Sequence, residues 1–415
     1  MASRRRRRRW IRRGVVVVVA GVCIPASVSF GLALNNPANG SSIFSRAAEW
    51  FRDHGAATPV AWIENLWYSH HQPPVGGEPP KGAIRVPTHE VTVPPAPILP
   101  PHLPPPLPIS PLASPALPGE GQWSPAGRPV EGIPAVYETE LRPDPVHTSQ
   151  VVGVAWMDTK LLHATLYSGS VIPGGGPYTH TAPISSTAAM SLVAAFNSGF
   201  LMSNANGGYF TDGRTEVPLR DGAASFVVYA DGTATVGEWG RDVTMSPDVV
   251  SVRQNLDLLV DNGQAVPGLN ANDTTQWGYT LGNQIYVWRS GLGVTADGAL
   301  VYVGGPSLNI TSLANVLVAA GCVRAMELDI NTDWVNLATY DPPAGQPAAP
   351  SNGVTLLPTM TGGSERYFEP WWGRDFITMS SAYGADQSLP LSTPNPVTTT
   401  TTPERSLKRT ARTRA

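Results

Sequence analysis

Cysteine is nearly absent from this chain. Of 415 residues only Cys23 and Cys322 carry a thiol, the first in an N-terminal apolar run and the second in the part expected to fold. Two such positions cannot staple a domain together, so the count neither requires nor excludes oxidising surroundings. Charge is sparse too, at 14% of residues, and its near balance conceals a split. Eight of the 28 basic residues lie in Arg4–Arg13 and five between Arg405 and Arg414, which leaves 15 bases against 30 acids over residues 14–403. An acidic surface repels phosphate backbones, so nucleic acid is not an expected partner. The histidines show no zinc-type spacing, and His70 and His71 are adjacent and outside the expected main domain, so no metal ligand is assigned. Neither a nucleophile elbow nor a phosphate loop occurs, and the sequence specifies no cofactor.

Proline and glycine are abundant instead, at 42 and 41 residues. The N-terminus reads MASRRRRRRWIRRG before an uncharged stretch, residues 14–34, whose 21 positions are long enough for a transmembrane helix. Residues 1–13 are then a cytoplasmic basic segment, and everything beyond the span is extracytoplasmic, in a single-pass protein of the cell membrane. A cleaved signal, which would make the protein secreted, is the alternative, since Gly31 and Ala33 are small enough for a cleavage site. A retained anchor is favoured because the apolar run exceeds the ~7–15 residues of a signal core.

Residues 45–71 form a membrane-proximal helical segment: Ala47, Trp50 and Phe51 share one face, and Trp62, Leu66 and Trp67 another. They are expected to lie on the bilayer or to pack on a neighbour. Residues 72–145, with VPPAPILPPHLPPPLP at their centre, read as a proline-rich linker in extended conformation. Residues 381–415 read as a disordered tail. Between them, residues 146–380 form the main domain, of α/β (α+β) class with a mixed β-sheet and flanking helices. Its strands include 151–156, 161–167, 192–196 and 323–328, and Asp231-Gly232, Asn262-Gly263 and Asp297-Gly298 mark hairpin turns. Leu313, Val316, Leu317 and Ala320 make the apolar stripe of one helix, with Asn309 or Thr311 as its cap and Gly321 at its stop.

Three stretches carry chemistry. In MELDINTDW, Glu327 and Asp329 fall on one face of a strand end, with Cα atoms on the order of 7 Å apart. Carboxyl pairs about 5–9.5 Å apart serve glycoside hydrolysis as acid, base or nucleophile. Asp333 is a further carboxylate or a turn residue, and Glu327 could equally pair with Arg324 or another arginine. In AAFNSGF, a strand delivers Asn197 into a glycine-rich loop, followed closely by Tyr209. The amide suits sugar hydroxyls or phosphate oxygen and the ring suits stacking on a sugar, although an ordinary Asx turn also accounts for the asparagine. In WRSGLGV, Arg289 stands before a hairpin, suited to a bidentate anion or to a structural ion pair.

In their order, AAFNSGF, WRSGLGVTADGALVYVGG, the helix SLANVLVAAGC and RAMELD resemble the phosphodiester glycosidase family, which includes N-acetylglucosamine-1-phosphodiester alpha-N-acetylglucosaminidase. The likeness spans most of residues 151–340. The segment SRAAEWFRDH…ENLWYSHHQPPVGG is similar to exported actinobacterial members. The resemblance implies Asn197, Arg289 and Asp329 as site residues. It also leads one to expect Gly-Gly-Gly-Ser after Asp329, where this chain has Ile330-Asn331-Thr332-Asp333. Glycines let backbone amides approach a phosphate closely; side chains obstruct that approach, and Asp333 repels the same anion.

The resulting expectation is an exported, membrane-anchored glycosidase acting on a sugar-phosphodiester or related linkage of envelope polysaccharide. Asp329 is its catalytic carboxylate, Glu327 or Asp333 the second, and Asn197, Arg289 and Tyr209 bind substrate. Its partners are an envelope glycan or sugar phosphate, and the membrane. The alternative is a non-catalytic envelope protein that retains the fold and binds glycan.

Overall fold

The Asp297-Gly298 turn organises the centre of the protein. Gly298 adopts φ +94°, which the turn requires, and Thr295 closes it by exchanging backbone hydrogen bonds with Gly298 and Ala299 at 3.1 and 2.9 Å. The two strands it joins, Val287–Thr295 and Leu300–Leu308, form the middle of an eight-stranded sheet in a computed structural model of the chain. That structure describes residues 26–40, 42–56, 58–60, 62–63, 66, 72–87, 100–270, 276–278 and 285–384.

The eight-stranded sheet runs in the order Ser124–Ala126, Val136–Leu141, Val152–Met157, Leu300–Leu308, Val287–Thr295, Cys322–Glu327, Leu258–Asp261, Gln264–Ala265. A five-stranded sheet runs Gly353–Thr355, Leu337–Tyr340, Leu192–Asn197, Phe376–Ser381, Leu162–Tyr167. A second of five runs Arg214–Val217, Tyr209–Thr211, Val249–Gln254, Ala224–Tyr229, Ala234–Glu238. Val249–Gln254 pairs antiparallel with Ala224–Tyr229, and Leu192–Asn197 does so with Phe376–Ser381. Parallel bridges join Ser168 to Thr181 and Trp239 to Val243. With few helices around these sheets, the class is α+β, as the sequence leads one to expect.

Strand alternation assigns the two faces of the large sheet. Val154, Trp156, Val301 and Val303 join the cluster under the helix, while Ala155, Met157, Leu300 and Tyr302 join the core shared with Phe196, Phe226 and Ile377 of the smaller sheets. The helix, Ile310–Ala319, begins at Asn309, whose side chain accepts from the Ser312 amide in a reciprocal capping box, and Gly321 follows at φ +87°. It lies close because the strand beneath it lacks a side chain at Gly291, and Gly293 makes room for Cys322 of the neighbouring strand. A Cβ at Gly293 would stand 2.5 Å from the Cys322 sulfur, and one at Gly291 3.0 Å from Leu317 Cδ1.

The expected linker is where structure and composition part. Within 72–145, Ser124–Ala126 and Val136–Leu141 are strands, and Val136–Leu141 pairs along its length with Val152–Met157. The chain before them is fastened as well. Glu120 and Arg142 form a buried ion pair at 2.8 Å, and Arg142 also donates to the carbonyls of Ala113 and Pro115. Arg85 reaches Glu138 at 2.9 Å and Glu140 at 2.5 Å, and the Gly76 amide bonds the Val146 carbonyl. Prolines do not prevent this, because an edge segment held by side chains needs few backbone donors of its own. The folded unit therefore begins well before residue 146. It ends with the strand Phe376–Ser381 and a short turn through Gly384; the rest of the expected tail lies outside the described residues.

At the N-terminal side, residues 26–35 are helical and pack against the helix Ile43–Phe51: the rings of Phe30 and Trp50 lie 4.9 Å apart, and Trp50 Nε1 donates to Ser29 Oγ. The first face expected at 45–71, with Trp50 and Phe51, is thus engaged with a neighbouring helix, whereas Trp62 and Leu66 of the second are exposed. Among the described residues no helix is long and apolar enough to cross a membrane. Residues 1–25, which hold the arginine block and most of the expected span, lie outside them.

Candidate active site

The strand Leu192–Asn197 ends between Leu337–Tyr340 and Phe376–Ser381, and Asn197 is its last residue. Its amide is used up by protein. Nδ2 donates to the Ser198 carbonyl at 2.9 Å and to Ser290 Oγ at 3.0 Å; Oδ1 accepts from the Tyr302 hydroxyl at 2.8 Å and the Asn336 amide at 3.0 Å. Two donors and two acceptors exhaust the side chain, so Asn197 joins the two sheets rather than offering itself to a ligand. Ser290 continues the chain of bonds. Its hydroxyl donates at 2.8 Å to the backbone carbonyl of Asp329, its own amide bonds the same oxygen at 3.0 Å, and its carbonyl accepts from Leu328.

These bonds carry the pairing of the central strands one step beyond Glu327 and set the direction of Asp329. Asp329 Oδ1 accepts from the amides of Ile330 and Asn331 at 2.8 and 3.0 Å. The residue is 4% exposed, and burial is the largest influence on its carboxyl, moving its pKa up to about 6. Arg374 is the strongest charge pulling the other way, helped by the two amides, while Asp375 adds to the rise. The Ile330–Asp333 segment thus turns its first amides onto Asp329 itself. Ile330 packs beneath the backbone at Gly278, where a Cβ would lie 2.8 Å from Ile330 Cδ1.

Glu327 is wholly buried and holds Arg289 at 2.5 Å. Arg289 also donates to the carbonyls of Leu308 and Trp277, both at 3.1 Å. Burial lifts the Glu327 pKa to about 7, Arg289 draws it back, and Asp329 adds a repulsion. One oxygen of Glu327, Oε2, has no hydrogen-bond partner. The structural ion pair considered for Arg289 is therefore what the fold contains, with Glu327 as its partner; Arg324 instead donates to the Val236 carbonyl.

The structure brings Asn197, Arg289, Glu327 and Asp329 into one connected cluster. It places the other two differently. Tyr209 is 0% exposed in the central core, its hydroxyl 3.1 Å from Ser168 Oγ, and has no ring face open to a sugar. Asp333 is half-buried in a turn, its amide donating to Asn331 Oδ1, and its charge acts on Arg366.

Two residues that sequence reasoning passed over complete the cluster. Arg374 and Asp375 immediately precede the strand Phe376–Ser381, and the Ser198 amide donates to the Asp375 carbonyl. Asp375 Oδ2 accepts from Arg253 Nε at 2.7 Å, a fully buried pair, and its Oδ1 is without a partner. The signal was present as a charged dipeptide set directly before an otherwise apolar strand, in GRDFITMS.

A buried carboxylate pair thus lies at a strand end of an α+β domain, with the backbone of Asp329 held by Ser290 and, through it, by Asn197. The model of the phosphodiester glycosidase family matches residues 190–329. That span contains Asn197, Tyr209, Arg289, Glu327 and Asp329, and stops short of Asp333, Arg374 and Asp375. No curated protein sequence matches the chain. Among solved structures it is similar to the catalytic domain of zebrafish N-acetylglucosamine-1-phosphodiester alpha-N-acetylglucosaminidase, auto-inhibited by its pro-peptide. Identity there is 15% over 63% of this chain and 87% of that one, with a TM-score of 0.39. It is also similar to a hypothetical protein from Synechocystis, at 13% identity over 62% of this chain and 64% of that one, with a TM-score of 0.32.

Proposed function

We propose that the protein is an exported, membrane-anchored hydrolase that cleaves a sugar–phosphodiester or related glycosidic bond of envelope polysaccharide. The observation that carries this reading is the state of Asp329: one carboxylate oxygen is fixed by two amides, leaving the other to react, beside a second buried carboxyl at Glu327. Asp329 supplies the charge that attacks the anomeric carbon or draws a proton from the attacking water. A phosphate leaving group needs little protonation, so one reactive carboxylate suffices for bond cleavage. Glu327, with a raised pKa, is the proton reservoir next to it. Ser290 and Asn197 orient Asp329 through its backbone, and Arg289 orients Glu327. The arginine block and the apolar run of residues 14–34 support export and anchoring.

The test is turnover of sugar-1-phosphodiesters by the purified protein. Wild type is expected to release sugar and phosphomonoester, and Asp329→Asn to lose at least ~100-fold in kcat/KM, a scale usual for removing a general acid–base group. Undiminished activity in that variant would remove the mechanism. A second reading, glycan binding without turnover, is favoured by the closed Arg289–Glu327 pair and the saturated Asn197 amide. Hydrolysis of any glycan by the wild type eliminates it; retention on a glycan array with no hydrolysis supports it.

A further inference from the structure

A phosphodiester is an anion, and the cluster around Asp329 holds two more carboxyls, Glu327 and Asp375, in a chain whose middle has 15 bases against 30 acids. Such a site repels its own substrate unless a cation is free to meet it. Three of the four buried arginines nearby are committed. Arg289 is held by Glu327 and two carbonyls. Arg253 is held by Asp375 and the carbonyls of Gln254 and Phe200. Arg366 also lies 4.5 Å over an indole, that of Trp372, with its Nε unpartnered, but both its terminal nitrogens donate to carbonyls, of Trp334 and Thr361.

Arg374 differs. Its guanidinium carbon lies 4.5 Å from the centre of the Trp334 ring, and its NH1 is buried with no hydrogen-bond partner. Among the described residues no carboxylate lies within ion-pair distance of it. At 9% exposure it remains the strongest favourable charge acting on Asp329. Its position is fixed from both sides of the site. Trp334, the ring it rests on, closes the turn that begins at Asn331, two residues after Asp329, and Asp375, its chain neighbour, accepts from Ser198 beside Asn197. A guanidinium held over an indole by a cation–π contact keeps its N–H groups for an acceptor, and an arginine so held suits a phosphate. Buried polar atoms of Ser198, Glu327, Arg374 and Asp375 have no protein partner, so the surrounding interior is polar.

We infer that Arg374, seated on Trp334, is the group that binds the phosphate of the substrate, in place of Arg289. This rests on the phosphodiester reading for the identity of the anion, but not on turnover. The test is calorimetric binding of inorganic phosphate, at low salt, to the full chain and to Arg374→Gln and Arg374→Lys. Arg214→Gln serves as control, since Arg214 is an exposed arginine. Wild type and the control are expected to bind alike, Arg374→Gln to bind at least tenfold more weakly, and Arg374→Lys to fall between, keeping the charge without the fork. Thermal unfolding of each variant separates lost binding from lost fold, and Arg374→Lys carries the test alone if the glutamine variant does not fold. Wild-type affinity in a folded Arg374 variant, or no binding by the wild type, overturns the inference. Phosphate binding that depends on Arg374 with no hydrolysis of phosphodiesters leaves the inference standing and removes the hydrolase reading. Hydrolysis with phosphate affinity indifferent to Arg374 does the reverse.

Discussion

Ser290 bonds the carbonyl oxygen of Asp329 twice, with its amide at 3.0 Å and its hydroxyl at 2.8 Å. The same hydroxyl accepts from Asn197 Nδ2, so one small side chain ties the strand that ends in Asn197 to the backbone of the candidate catalytic residue. Ser290→Ala removes the two bonds of the hydroxyl, keeps the backbone amide bond to Asp329, and leaves a buried amide hydrogen of Asn197 without an acceptor. The expected cost is about 1–3 kcal/mol of stability, with kcat/KM lowered because Asp329 is held by one bond fewer. Denaturant unfolding and turnover, measured together, check it; unchanged values for both would show that the serine positions nothing.

The Arg289–Glu327 pair makes a non-additive prediction. Arg289→Met strands a buried carboxylate and is expected to destabilise by roughly 3–5 kcal/mol. Arg289→Met combined with Glu327→Leu should destabilise less than Arg289→Met alone, because no uncompensated charge remains. Chemical denaturation of the two single variants and the double closes this cycle. Additive losses would mean that the two side chains do not act as a unit.

Activity is expected to follow a bell-shaped dependence on pH. The rising limb lies near 6, where Asp329 ionises, and the falling limb near 7, where Glu327 gives up its proton. Glu327→Gln should erase the upper limb. The stability consequence has a definite sign. Both carboxyls have pKa values raised in the folded protein, so the native state binds more protons than the unfolded chain between the ordinary carboxyl range and about 7. Their contribution therefore falls as pH climbs through that window, and the fall should be shallower in Glu327→Gln. Unfolding curves at a series of pH values between 4 and 8 test this.

Removing the proline-rich region should destroy the fold rather than shorten a spacer. A chain beginning at residue 146 loses Val136–Leu141, the neighbour of Val152–Met157 in the large sheet, together with the Glu120–Arg142 pair. It is expected to show no cooperative thermal transition, whereas Glu120→Gln in the full chain should cost roughly 3–5 kcal/mol. Cooperative melting of the shortened chain would contradict the register described above.

Much of the central sheet was legible because its signals are local. The hairpin at Asp297-Gly298, the helix capped by Asn309 and the strand Cys322–Glu327 all follow from turn chemistry and apolar spacing. Glu327 and Asp329 were visible for the same reason. Two kinds of information were not. VYETEL alternates as a strand should, but prolines on both sides mask it, and only its pairing with Val152–Met157 reveals that its acids face Arg85. Likewise Arg289 and Arg374 look equivalent as arginines before strands; that one is closed on Glu327 and the other open is a fact about residues distant along the chain. Tyr209 shows the same limit in reverse, since an aromatic beside glycines suits a binding loop as well as it suits the core.

The docking of the proline-rich chain alters how far the reactive centre can travel. As an extended rod, residues 72–145 would reach about 230 Å at ~3.1 Å per residue. With residues 100–145 folded into the domain, Gly76 and Arg85 fastened to its flank, and the carbonyl of Ala38 close enough to Gly373 that a Cβ there would stand 2.8 Å away, that leash is already wound in. For a chain anchored as we propose, the enzyme would work within a few nanometres of its own lipid leaflet, and only polymer segments lying that near the bilayer would come within its grasp.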